Sequence, residues 1–84
     1  MNEKVPIEIG RRRLNVEMEG FTPLQILELA RQVQVKLDEI SARYPQIVDT
    51  SKLAILAALE VAAELHQLRD AVITNNRQVE HKLD

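Results

Sequence analysis

The feature that most constrains the fold is a long C-terminal stretch without a helix breaker. Neither Gly nor Pro occurs from Gln46 to Asp84, and Asp49 is a suitable N-cap residue. We therefore predict one helix over residues 50 to about 82, roughly 50 Å long at 1.5 Å per residue. Such a helix is too long to lie wholly on a domain of 84 residues.

The two halves of this predicted helix differ in composition. From Leu53 to Leu65, eleven of thirteen residues are apolar and five are Ala. A helix that is apolar on nearly all sides is buried, and small side chains let neighbouring backbones approach closely. Beyond His66 the apolar residues thin to a heptad seam, on which Asn75 would weaken packing while setting register or orientation. We therefore expect an oligomer.

The expected oligomer interface combines residues of the Ala-rich half with residues of the heptad seam. Its members are Ala54, Ala58, Leu59, Val61, Ala62, Leu65, Leu68, Val72, Asn75 and Val79.

Two N-terminal segments alternate apolar and polar residues with the period of half-buried strands. The apolar positions are Val5, Ile7 and Ile9 in the first segment, and Leu14, Val16 and Met18 in the second. Residues 10–13 lie between them and include a Gly, so we predict an antiparallel hairpin within residues 4–19, closed by a four-residue loop. A lone hairpin is marginal in water, so its apolar face should lie on helices.

The start of a first helix is marked by three residues. Thr22 is a plausible N-cap, Pro23 suits the first helical position, and Gln25 completes a capping box. Pro45 should end this helix, which we place at residues 23–43. The expectation is an α+β fold: a two-stranded antiparallel hairpin, one short helix, and one long C-terminal helix extending into a coiled coil.

Composition excludes several classes of protein. The chain has no Cys, which rules out disulfides and thiolate metal sites. The longest apolar run has seven residues, against the ~20 needed to span a bilayer, and the N-terminus lacks the apolar core of a signal peptide. We expect a soluble chain. The net charge of −2 is evenly spread, which argues against a general polyanion-binding face.

No arrangement of side chains indicates catalysis. His66 and His81 would lie about 22 Å apart on one helix, too far to share a metal. Glu60 and Glu64 share a helix face, but the di-iron Glu-x-x-His pattern would need His at position 63 or 67, where Ala and Gln stand. We interpret the two glutamates as a polar stripe, and we expect no enzyme, metal or cofactor.

Arg11, Arg12 and Arg13 form a conspicuous basic run in the predicted loop. Such a run is often a solvated turn, yet three guanidiniums on an exposed tip could also dock carboxylates or phosphates. The residues alone leave both interpretations open.

The segment from Asp49 to Leu65 strongly resembles the signature of ZapA-type proteins. In that family a Thr precedes Leu-Ala-x-Leu-Ala-Ala-Leu, followed by an apolar run and a Glu-Leu pair, and the resemblance extends over nearly the whole chain. The chain departs from the family at Glu60, where Asn is frequent, and at Gly10, since the turn Gly commonly sits one place later.

The resemblance implies a non-enzymatic cell-division protein with a small α+β head, here residues 1–65, and a distal helix, residues 66–84. Such proteins form homodimers, pair further into tetramers, and bind and bundle filaments of FtsZ at the cytoplasmic mid-cell ring. The residues implied in FtsZ binding are Arg11, Arg12, Arg13, Ser51, Lys52 and Leu56.

Two other classes fit part of the evidence. A generic helical dimerisation or adaptor module with another protein partner satisfies every periodicity argument. A small nucleic-acid binder could use the three arginines, but the near-neutral charge and the lack of stacking aromatics count against it.

Overall fold

A computed structural model describes the backbone of residues 3–83 and the side chains of residues 3–75. The elements are β1 (Val5–Ile9), β2 (Arg12–Val16), α1 (Pro23–Arg43) and α2 (Thr50–Leu83). The chain therefore has the expected α+β fold, with an antiparallel hairpin followed by a shorter and a longer helix. Val79, one of the expected interface residues, lies outside the described side chains.

The hairpin turn is shorter than predicted. Gly10 and Arg11 alone connect the strands, with φ of 58° and 66°, and Ile9 pairs directly with Arg12. The prediction of a four-residue loop was wrong, because positive φ at both central residues produces a tight turn whose twist matches that of the strands. As a consequence, Arg12 and Arg13 belong to β2.

The strand register decides which side chains share a face of the hairpin. Ile7 pairs with Leu14 and Ile9 with Arg12, so these four side chains lie on one face. β1 packs against α1 and buries Val5, whereas β2 remains largely exposed. The hairpin thus meets the helices mainly through its first strand.

Helix α1 begins where the capping box predicts. The Thr22 side chain accepts a hydrogen bond from the Gln25 N–H at 3.2 Å, and the Thr22 N–H donates to Gln25 Oε1 at 2.9 Å. Pro23 occupies the first turn. At the other helix start, Asp49 Oδ1 accepts from the Ser51 N–H at 2.9 Å, which confirms Asp49 as the cap of α2.

The core of a single chain is small. Among the residues that the structure describes, the buried hydrophobic ones are Val5, Ile26, Ile40 and Ala57. The chain measures 54 × 42 × 14 Å and has a radius of gyration of 17.4 Å, against about 12 Å for a compact domain of this length. It is a thin layer that leaves much apolar surface exposed.

Among the described residues, seven of the fifteen exposed large hydrophobic side chains lie on α2. Leu59 and Leu68 are both 62% exposed, and Val72 is 51% exposed. Within residues 3–83, no helix is long and apolar enough to cross a membrane.

Candidate partner-binding surfaces

The hairpin turn is held against α1 by a glutamine. The Gly10 N–H donates a hydrogen bond to Gln34 Oε1 at 2.8 Å. One turn further along α1, Asp38 Oδ1 accepts from Gln34 Nε2 at 3.0 Å. The carboxylate therefore orients the amide so that its oxygen points to the turn.

Arg12 reaches from the hairpin to the first residue of α2. Its Nη2 donates to Thr50 Oγ1 at 3.2 Å, across 38 residues of sequence. Because Asp49 caps the helix, the Thr50 hydroxyl is available to accept this bond. The structure thus places one arginine of the basic run beside the start of α2.

The other two arginines lie elsewhere. Arg13 lies on the opposite face of the hairpin, where its Nε is 3.6 Å from a carboxylate oxygen of Glu8, and both side chains are mostly exposed. Arg11 occupies the turn itself with a positive φ. Arg12 and Arg13 therefore lie on opposite faces of the hairpin, so the three arginines do not all share one surface.

The remaining residues implied in partner binding lie on the first turns of α2. Lys52 and Leu56 are four residues apart and share a helix face. Lys52 is only two residues from Thr50, so it does not share the face that meets Arg12. The Ser51 N–H is engaged by the helix cap. Arg12 and Lys52 thus border the same helix start from different sides.

Thr50 contacts Arg12 but was not among the site residues predicted from the sequence. It is the Thr that precedes the family signature, but nothing local to it indicates a partner 38 residues away.

An ion-pair cluster joins α1 to α2 at their interface. Lys36 Nζ lies 2.6 Å from Glu64 Oε1 and 3.4 Å from Glu60 Oε1, and Arg43 pairs with the other oxygen of Glu60. The side chains of Lys36 and Glu60 are only 17% and 28% exposed. Glu60 and Glu64 form a polar stripe on α2, and this stripe pairs with the cations of α1.

These contacts shift the pKa values of the cluster. The hydrogen bond from Arg43, with a smaller contribution from Lys36, lowers the pKa of Glu60 below its usual value of 4.5. The hydrogen bond that Lys36 donates to Glu64, and to a smaller extent the one it donates to Glu60, raises the pKa of Lys36 above its usual value of 10.5. Glu60 and Lys36 are therefore stabilised in their charged forms, and the cluster orients one helix on the other.

The expected oligomer interface forms an exposed surface on α2. Seven of its residues follow heptad spacing of four and three along one face, Ala62 lies beside them one turn after Ala58, and Leu59 lies further around the helix. All nine are exposed in the single chain. The seven are Ala54, Ala58, Val61, Leu65, Leu68, Val72 and Asn75.

The chain offers no obvious metal centre in the part that the structure describes. Among those residues, no group of three or more His, Cys, Asp or Glu side chains is placed to hold an ion.

The family model described as "Cell division protein ZapA" matches residues 5–84. The chain is also similar in structure to a ZapA mutant dimer from Geobacillus stearothermophilus, with a TM-score of 0.71 and 25% sequence identity. That similarity covers 95% of this chain and 91% of the other. No curated protein matches the chain.

Proposed function

The chain belongs to the ZapA family of cell-division proteins, and we propose that it binds FtsZ and cross-links its filaments. In this proposal it acts without catalysis or a cofactor, in the cytoplasm, at the mid-cell division ring. Its working form is at least a homodimer.

The observation that carries the proposal is the unburied apolar face of α2. A seam of exposed residues runs from Ala54 to Val72, while the described core holds four buried side chains. Apolar area removed from water stabilises an assembly by about 25 cal/mol per Å², so a second copy that covers this seam supplies the burial that one chain lacks. The structural neighbour is itself described as a dimer.

A dimer provides a sufficient mechanism for cross-linking. Each chain presents one hairpin tip and one α2 start, so a dimer carries two copies of the FtsZ-binding surface. Once one copy binds a filament, binding of the second becomes effectively intramolecular. We assign binding to the head, residues 1–65, and spacing of the heads to the distal helix, residues 66–84.

Co-sedimentation with polymerised FtsZ tests the binding. The double variant Arg12→Glu, Arg13→Glu should pellet with FtsZ much less than the unaltered protein, and binding of the latter should weaken with salt. The melting temperature should change little, since exposed ion pairs contribute about 0–1 kcal/mol. The control Arg69→Glu, Arg77→Glu makes the same change in charge on the distal helix, to which no FtsZ contact is assigned. If both double variants lose binding equally, net charge and not the hairpin is responsible.

Truncation after Leu68 tests whether the head binds filaments while the distal helix spaces the two heads. We expect the shortened protein to remain a folded dimer that binds filaments, and to bundle them poorly because the heads are no longer held apart. Light scattering of FtsZ filaments with each protein measures bundling. Equal bundling by the two proteins would place the bridge within the dimeric head.

A further inference from the structure

We propose that Thr50 and Gln34 are positioning residues, which hold Arg12 and the hairpin turn in the one orientation that FtsZ recognises. This inference rests on the proposed function and names the residues that prepare its surface. It concerns the two hydrogen bonds that join the hairpin tip to the helices, one to α1 and one to α2.

The bond to Gln34 immobilises the backbone of the turn. In a two-residue hairpin the N–H groups of the turn residues take no part in strand pairing, so the Gly10 N–H needs another acceptor. Gln34 Oε1 accepts it at 2.8 Å, and Asp38 keeps the amide in that orientation. The tip of the hairpin is therefore fixed on α1 although β2 is largely exposed.

The bond to Thr50 restrains the Arg12 side chain. A free arginine samples many rotamers, and ordering them opposes binding. The Thr50 hydroxyl takes one of the five guanidinium N–H donors, and within residues 3–75 the others have no hydrogen-bond partner. On this exposed surface they can donate to a carboxylate. The bond therefore prepares Arg12 for a carboxylate of the partner without satisfying its charge.

Arg12 and Arg13 differ in the group that each contacts. Arg13 pairs with Glu8 on the outer face, and its side chain is 88% exposed. Arg12 is bonded to a neutral hydroxyl, and the part of the chain that the structure describes gives it no ion-pair partner beside the start of α2. We therefore assign the oriented contact with FtsZ to Arg12.

Thr50→Val and Thr50→Ser provide the main test. Val keeps the shape of Thr and removes the hydroxyl, whereas Ser keeps the hydroxyl. In co-sedimentation of the full chain with FtsZ, we expect Val to weaken apparent affinity by about two- to fivefold, the range for one exposed hydrogen bond. Ser should bind like the unaltered protein. If the Thr50→Val variant does not melt cooperatively, Thr50→Ala is used in its place, because Ala is a better helix former.

A double-mutant cycle shows whether Thr50 acts through Arg12. Arg12→Ala alone should weaken binding by about tenfold, and adding Thr50→Val to it should cause no further loss. An additive loss would mean that Thr50 contacts FtsZ itself, and would overturn the inference. If Arg12→Ala weakens binding while Thr50→Val does not, the inference fails and the proposed function stands. If Arg12→Ala has no effect, the inference fails together with the proposed contact.

Gln34→Leu tests the second anchor against a matched control. Gln32→Leu makes the same change two residues away, at a side chain whose hydrogen bond among the described residues is to Glu28. We expect Gln34→Leu to weaken FtsZ binding by about two- to fivefold and Gln32→Leu to leave it unchanged. Equal effects of the two substitutions would show that Gln34 does not position the turn.

Discussion

Ile40 is the described side chain on which the small core depends most. It is fully buried on α1, and few other buried residues can compensate for its loss. Truncation of a buried Ile to Ala removes apolar contacts and leaves a cavity.

We predict that Ile40→Ala lowers the free energy of unfolding by about 2–5 kcal/mol. The control Leu24→Ala, on the same helix at a side chain 79% exposed in the single chain, should change it by less than about 0.5 kcal/mol. Urea unfolding at one protein concentration measures both. A large effect of Leu24→Ala would reveal that a partner chain buries this residue.

Glu60 makes stability depend on pH. Its pKa is lowered mainly by the hydrogen bond from Arg43. A lowered folded-state pKa contributes stability that is present above the unfolded value, here 4.5, and is lost as pH falls through the folded value.

We therefore predict that Glu60→Gln lowers the melting temperature at neutral pH and reduces the loss of stability on acidification below about pH 4.5. Glu17→Gln is the control, because the described residues give Glu17 no ion-pair partner. Thermal melts across the acid range provide the measurement. Parallel acid profiles for the Glu60→Gln variant and the unaltered protein would show that the cluster contributes nothing to the pH dependence of stability.

At the alkaline end, the raised pKa of Lys36 adds stability below pH 10.5, and this stability is lost as pH rises through the pKa of Lys36 in the folded protein.

At the scale of elements, the hairpin turn carries a conformational cost at one of its two residues. Gly10 and Arg11 both have positive φ, which Gly tolerates and other L-residues adopt only with strain. A Cβ at Gly10 would meet no atom within 4 Å, so the cost of a substitution there is conformational and not steric crowding. The family commonly places its turn Gly one residue later, at the position of Arg11.

We predict opposite effects of substitutions at the two turn positions. Gly10→Ala should lower the free energy of unfolding by about 1–2 kcal/mol, because it forces a side chain into the left-handed region. Arg11→Gly should raise it by up to about 1 kcal/mol, reduced by the greater freedom of Gly in the unfolded chain. Urea unfolding measures both. Destabilisation by Arg11→Gly would mean that the Arg11 side chain contributes more than its backbone strain costs.

At the scale of the whole molecule, α2 determines the assembly. The single chain is a layer 14 Å thick whose long helix exposes its apolar seam. A charge placed on that seam would be buried without a partner if two chains pair there, at a cost of several kcal/mol.

We predict that Ala58→Arg dissociates or unfolds the assembly, whereas Ala63→Arg leaves it intact. Both alanines are exposed in the single chain, but they lie on different faces of α2, and only Ala58 belongs to the seam. Light scattering at micromolar concentration gives the oligomeric state, and circular dichroism shows whether the chain remains folded. A monomeric unaltered protein, or equal behaviour of the two variants, would contradict the assigned interface.

The features that depend on neighbours along the chain could be predicted from the amino-acid sequence. The capping box at Thr22, the cap at Asp49 and the uninterrupted helix after it involve residues within a few positions of one another. The alternation of apolar residues likewise predicted the hairpin and its antiparallel pairing. Such local signals can be read because one or two turns of backbone already bring the interacting groups together.

The contacts that build the surfaces could not be predicted in this way, because they depend on how distant elements pack. A turn of two residues, where the alternation suggested a loop of four, set the register and sent Arg12 and Arg13 to opposite faces of the hairpin. The bond from Arg12 to Thr50 spans 38 residues, and the pair of Lys36 with Glu64 spans 28. Polar side chains carry no periodic signal that names a distant partner, and a shift of one residue in register exchanges the two faces of a strand. The packing of hairpin and helices was therefore needed to assign these contacts.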